Sequence, residues 1–195
     1  MRNLFISLML VLCLGLGLTG IASAAEERSL VKLETSAGEI IIELFPDKAP
    51  KTVLNFLEYV NTGAYDGTIF HRVMDGFMIQ GGGFEPDMKQ RKSNAPIRNE
   101  ADNGLKNDRY TVAMARTNDP HSASNQFFIN VENNDFLNHQ AKSANGWGYA
   151  VFGKVVDGSR IVDDIKRVRT GNRVGHQNVP LEPVVIKKAS VFKLR

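Results

Sequence analysis

The sequence predicts a mainly β protein, a mostly antiparallel barrel with two peripheral α-helices. Three observations carry that expectation. Seven or eight short runs of strand-type residues are each bounded by turn residues. Only two stretches have helical periodicity, and they lie far apart, so strands and helices do not alternate as a doubly wound parallel sheet requires. Seventeen glycines and seven prolines supply the many tight turns of such a fold.

The elements follow in order. Leu30 to Phe45 reads as a hairpin: Leu30–Glu34 alternates, Ser36-Ala37-Gly38 turns, and Glu39–Leu44 returns. Pro46 and Pro50 end that strand and open a helix, in which Val53, Phe56, Leu57 and Val60 fall on one apolar stripe. Asn61-Thr62-Gly63 stops it. Strands Ile69–Met74 and Phe77–Gln80 flank a turn at Asp75-Gly76, and Gly81 to Gly104 is a long polar loop with too few apolar residues for core elements. Tyr110–Ala115 and Gln126–Val131 are two further strands. Asn138 to Gly148 is a loop and Tyr149–Val156 a strand. Ser159–Val168 is the second helix, with Ile161, Val162, Ile165 and Val168 on one side. Pro183 to Leu194 closes the chain in β-structure. No internal repeat or linker divides residues 25–195, which form one domain.

Residues 1–24 stand apart. Arg2 is the only charge before Glu26, Leu4 to Leu18 is an almost unbroken apolar run, and Ala22-Ser23-Ala24 supplies small residues. These are the marks of a secretory signal peptide cleaved after Ala24, which leaves no membrane anchor on the mature chain. The one cysteine, Cys13, lies within that leader. The mature chain therefore excludes disulfides, thiol catalysis and cysteine-ligated metal, and suits an oxidising compartment. Hydrophobic residues at 43% and charged residues at 23% exclude a disordered chain. The net charge of +3 is interspersed, with no Lys/Arg run longer than two, so nucleic-acid binding has no support.

Two stretches gather chemistry-bearing side chains. In Phe70–Gly83 the hairpin register decides what they can do. A two-residue turn at Asp75-Gly76 sets Arg72 opposite Ile79. A three-residue loop, Asp75-Gly76-Phe77, sets Arg72 opposite Gln80, with Phe70, Met74 and Met78 on the same face. That second register groups a guanidinium, an amide and soft apolar side chains, a surface for a ligand of mixed apolar and carbonyl character. His71 has the opposite strand parity, which predicts a structural role. In Asn125–Asn130, alternation puts Gln126 and Phe128 on one face and Phe127 and Ile129 on the other, with Phe127 assigned to the core. His121, His139 and His176 have no ligand spacing, so neither a metal nor another cofactor is expected. Gly81-Gly82-Gly83 lacks the lysine and helix of a phosphate loop.

Phe70-His71-Arg72-Val73 with Gly76-Phe77-Met78-Ile79-Gln80-Gly81-Gly82 resembles the cyclophilin signature. Ser124–Ile129 and Val151-Phe152-Gly153-Lys154-Val155 resemble two further motifs of that family, in its order, and the likeness runs from about Val31 to Phe192. The stretch Asn99–Leu105 resembles the bacterial branch. The resemblance implies a closed eight-stranded antiparallel β-barrel with two peripheral helices and peptidyl-prolyl cis–trans isomerase activity in a groove on its outer surface. It implies the register that pairs Arg72 with Gln80 and gives Arg72 the catalytic role. Phe77, Met78, Phe128 and Leu137 would wall a proline pocket, while Gln126 and the backbone at Ala115 and Arg116 hold the peptide. Arg116, Phe136 and Tyr149 depart from the better-known eukaryotic pattern, where asparagine, tryptophan and histidine stand. Those three line the expected substrate site and imply weak cyclosporin binding.

The expected substrates are proline-containing unfolded or partly folded exported polypeptides, met in the periplasm by a monomer. The competing function class is a proline-segment binding chaperone or scaffold without required turnover. Retention of Arg72 with Phe77, Met78, Gln80 and Phe128 favours the enzyme.

Overall fold

The computed structural model describes residues 29–192, so the leader expected at 1–24 lies outside the described residues. Strand β1 (Leu30–Thr35) and strand β2 (Glu39–Leu44) form the first hairpin. Thr35 Oγ1 accepts from the Ala37 and Gly38 amides at 3.1 Å, which fixes the turn. Gly38 is required there: its φ is +138°, and a Cβ would meet the Ile161 side chain at 2.6 Å.

Helix α1 (Pro50–Asn61) starts on its proline and buries Val53, Phe56 and Val60, as its periodicity predicts. The residue before it, Ala49, offers no capping side chain. Glu100 does that work from afar, its carboxylate accepting from the Lys51 and Thr52 amides and the Thr52 hydroxyl at 2.8–3.2 Å.

Strands β3 (Phe70–Met74), β4 (Met78–Gly81), β5 (Thr111–Met114), β6 (Phe127–Asn130) and β7 (Val151–Asp157) follow, then helix α2 (Ser159–Lys166). A hairpin of β8 (Thr170–Arg173) and β9 (His176–Pro180) precedes the last strand, β10 (Ile186–Phe192). Eight strands form one antiparallel sheet in the order β10-β1-β2-β7-β5-β6-β4-β3. The β8–β9 hairpin is separate, and polar residues that give no alternating pattern hid it from the sequence reading.

The expected closed barrel is corrected: the sheet is open and strongly curled. Its edges, β3 and β10, meet in no strand ladder: a short seam just before each strand holds the isolated Ile69–Val185 bridge, with Phe70 N–H donating to Val184 O, Gly67 N–H to Ile186 O and Ile186 N–H to Thr68 O. Pro183 carries no N–H with which to extend the pairing, and β9 lies against β3. The Gly81–Gly104 segment is largely irregular, as expected, but it does supply core residues. Phe84 and Met88 pack with Ile69 and Val179 in a small satellite core.

The main core is aromatic where the groove needs support. The rings of Phe56, Tyr65, Phe70, Phe127 and Phe152 meet at centroid distances of 5.0–6.2 Å, several edge to face. Buried Tyr65 donates its hydroxyl to Asn125 O at 2.9 Å, which ties this core to the start of β6.

Candidate active site

The β3–β4 hairpin settles the open register in favour of the three-residue loop: Arg72 pairs with Gln80, Val73 with Ile79 and Met74 with Met78. One step earlier Phe70 pairs with Gly81, so His71 is an extra residue, a bulge. Two expectations are corrected by it. Phe70 does not share the Arg72 face; it is fully buried in the core against Phe127. His71 does not point away; it lines a cavity together with Arg72 and Gln80. Burial, with His176 close by, pushes the His71 imidazole down to about 4, so it is neutral near pH 7.

Arg72 is half-buried. Its Nη2 donates to Met74 Sδ at 3.4 Å, and its guanidinium carbon lies 5.9 Å from the Phe77 ring centroid. Among the described residues no carboxylate forms an ion pair with it. Beside it Gln80 Nε2 donates to Gln126 Oε1 at 2.8 Å, which holds the two amides in one orientation. Strand β6 then places Phe128 next to Gln80 on one side and Ala113 on the other, while Phe127 and Ile129 turn into the core, as alternation predicts.

Around these lies a cavity of about 180 Å3, lined by nine of the eleven residues singled out from the sequence. Arg72, Gln80 and Phe77 form one side, with Met78, Phe128 and Leu137 as apolar walls. Ala115, Arg116 and Tyr149 complete the far rim. Gln126 stands just outside, against Gln80, and Phe136 is largely exposed, its ring 5.5 Å from that of Phe77. Phe136 thus extends the groove rather than lining the slot.

Arg116 has a structural task of its own. Its guanidinium lies 4.5 Å from the Tyr149 ring centroid and donates to the carbonyls of Gly148 and Thr117, so it props Tyr149 against Phe128. Sequence reasoning missed a second support, a buried amide network under the groove. Asn134 donates to Phe77 O and Asn130 Oδ1, Asn130 to Asn107 Oδ1, and Asn107 to Leu137 O. It fixes the Phe77 loop and the Leu137 turn that face each other across the slot. The signal lay in the density of asparagines at 107, 130, 134 and 138, but composition does not say which are buried.

A cation at the mouth of an apolar slot, with oriented amides along one wall, suits a ligand of mixed apolar and carbonyl character. Comparison with known proteins specifies the class. The profile described as Cyclophilin type peptidyl-prolyl cis-trans isomerase/CLD matches residues 30–191. The chain is 66% identical over 164 residues to a peptidyl-prolyl cis-trans isomerase of Streptomyces antibioticus, covering 84% of this chain and 99% of that one. It is 59% identical over 162 residues to peptidyl-prolyl cis-trans isomerase B of Escherichia coli (83% and 99%) and 54% over 172 residues to isomerase A of Dickeya dadantii (88% and 89%). The crystal structure of a cyclophilin type isomerase from Cryptosporidium parvum superposes with a TM-score of 0.71 at 27% identity, covering 86% of this chain and 99% of that one. The chain belongs to the cyclophilin type peptidyl-prolyl cis–trans isomerase family.

Proposed function

We propose that the chain turns X–Pro peptide bonds in the Arg72 groove, with Arg72 as the catalytic residue and the Met78–Phe128–Leu137 slot as the proline pocket. The barrier to rotation is roughly 20 kcal/mol because amide resonance must be broken. In the twisted transition state the proline nitrogen turns pyramidal and regains a lone pair. A guanidinium with directed N–H donors interacts with that lone pair and offers little to the planar ground state, so it favours the transition state selectively. The apolar walls anchor the pyrrolidine ring while the Gln80–Gln126 pair and the Ala115–Arg116 backbone hold the chain on either side. No covalent intermediate or proton transfer is needed. A thousandfold acceleration requires only about 4 kcal/mol of differential binding.

The observation that carries this reading is the Arg72 guanidinium, without a carboxylate partner among the described residues, at the mouth of an apolar slot of about 180 Å3. A protease-coupled cis–trans assay on a short X–Pro peptide tests it. Arg72→Ala is expected to lower kcat/KM at least tenfold with an unchanged circular dichroism spectrum. Equal activity in the two proteins removes the mechanism, and inactivity of folded wild type replaces turnover with simple binding of proline segments.

The substrates in this reading are unfolded or partly folded exported polypeptides, met by a monomer in the periplasm, and the activity assists their folding. The support is the composition of residues 1–24, with its basic start, apolar run and Ala22-Ser23-Ala24 site. Mass spectrometry of the protein from a periplasmic extract is expected to show a chain beginning at Ala25. A chain retaining Met1 in the membrane fraction would overturn this placement.

A further inference from the structure

The β8–β9 hairpin has no part in the mechanism above, yet it stands beside the reacting groove. Its tip carries left-handed backbone at Val174 (φ +47°), Gly175 (φ +77°) and Asn178 (φ +59°). That geometry brings Gly175–Asn178 across from Arg72 and Gln80, enclosing a second cavity of about 390 Å3. The hairpin is an anchored wall. Val179 is buried with Ile69, Phe84 and Met88, Leu181 N–H donates to Arg169 O at 2.9 Å, and the His176 ring packs on Phe84 at 4.9 Å.

Arg72 and Gln80 border both cavities, so the two lie side by side with the guanidinium between them. An extended peptide advances about 3.3 Å per residue. A substrate with its proline in the slot therefore brings a residue two or three positions away, on one flank, into the second cavity. Of the side chains that line it, only Arg72 carries a fixed charge, and Arg72 is occupied by the reacting amide. What remains, besides the Phe84 ring and Gly175, are amides and imidazoles, which both give and accept hydrogen bonds.

We propose that the Gly175–Asn178 turn, with Arg72 and Gln80 opposite, is a substrate subsite for a neutral hydrogen-bonding residue (Asn, Gln, Ser or Thr) on one flank of the X–Pro bond. It rests on the reading that X–Pro peptides occupy the Arg72 slot. It makes the hairpin a determinant of which proline segments are turned over fastest.

The test uses exchange spectroscopy on the mature protein, with a four-residue X–Pro peptide and eight-residue peptides. The longer ones carry Gln, Leu, Glu or Lys two and three residues from the proline on each flank. On one flank the Gln peptide is expected to exceed the Leu peptide about fivefold in kcat/KM, the worth of one or two hydrogen bonds. Gln177→Ala combined with Asn178→Gly is expected to bring that ratio to about one. Gln177→Glu is expected to shift preference to the Lys peptide, a change of specificity that damage to the fold would not produce. Equal kcat/KM for all long peptides with wild type, or a preference untouched by both variants, overturns the subsite. Failure of folded wild type on the short peptide overturns the underlying reading and the subsite with it, and is seen before any long peptide is used.

Discussion

Phe127 and Phe128 are adjacent, identical in type and both buried, yet truncating them should have opposite consequences. Phe127 is fully enclosed, edge to face with Phe56 and Tyr65 at 5.4 Å and with Phe70 at 6.2 Å. The ring is tightly packed: Gly82 lies so near it that a Cβ there would approach it to 3.1 Å. Phe127→Ala should therefore lose about 3–5 kcal/mol, a large part of a stability of about 5–15 kcal/mol. Phe128 instead borders a cavity that already exists, beside Met78 and Leu137. Its removal widens an open slot that water can enter, so the loss should fall near 2 kcal/mol, below the usual range for a sealed core. The lost wall should lower kcat/KM on the order of 10- to 100-fold, from the roughly 1.5–3 kcal/mol that burying one large apolar group contributes. Urea unfolding followed by fluorescence of buried Trp147 gives the first quantity. A cis–trans assay at a temperature where both variants are folded gives the second. If Phe128→Ala keeps kcat/KM within threefold of wild type, or Phe127→Ala loses more activity than Phe128→Ala, the slot is not the proline pocket.

Three further outcomes are expected. Glu100→Ala should lower stability by about 1–2 kcal/mol in urea unfolding without changing kcat/KM, because three donors at the start of α1 lose their acceptor. His71 is neutral in the folded protein down to about pH 4, whereas the unfolded chain protonates near 6.5. The folded state thus binds fewer protons between those values, and the contribution is full above about pH 6.5 and falls as pH drops toward 4. His71→Gln should flatten the dependence of the urea midpoint on pH in that window, and it should remove no inflection from the kcat/KM profile between pH 5 and 8. Met74→Leu, which deletes the sulfur that accepts from Arg72 at 3.4 Å but keeps the apolar bulk, should lower kcat/KM about two- to threefold at unchanged stability.

Much of this site was legible because its residues obey simple periods. The helical stripe of α1 and the alternation across β6, with Phe127 inward and Phe128 outward, follow from spacing alone. The hairpin register was open between two loop lengths, and the resemblance selected the one the structure has. What escaped were departures from period. A single inserted residue at His71 reverses the parity of everything before it, so Phe70 and His71 exchanged the faces that alternation gave them. Closure of the sheet depends on whether β3 and β10, more than a hundred residues apart in the chain, can pair along their length, and no local pattern reports that. The β8–β9 hairpin is held by Val179 and the Phe84–His176 contact, long-range packing that its polar sequence does not announce.

The way Arg72 is held bears on how it acts. Arg109 is fixed by both oxygens of Asp163 at 3.0 Å, and Arg91 by Glu85 at 2.7 Å. Those guanidiniums meet their charge partner in the folded ground state and have little left to offer a reacting group. Arg72 is oriented by a sulfur atom and a ring face instead, neither of which carries a formal charge. Each such contact is weak, but together they restrict the side chain while leaving its field uncompensated toward the slot. A carboxylate at the same place would orient the guanidinium more strongly and cancel the interaction on which transition-state selectivity depends. In the proposed mechanism, the soft surroundings of Arg72 are therefore the arrangement that lets one cation be positioned and still be available when the proline nitrogen turns pyramidal.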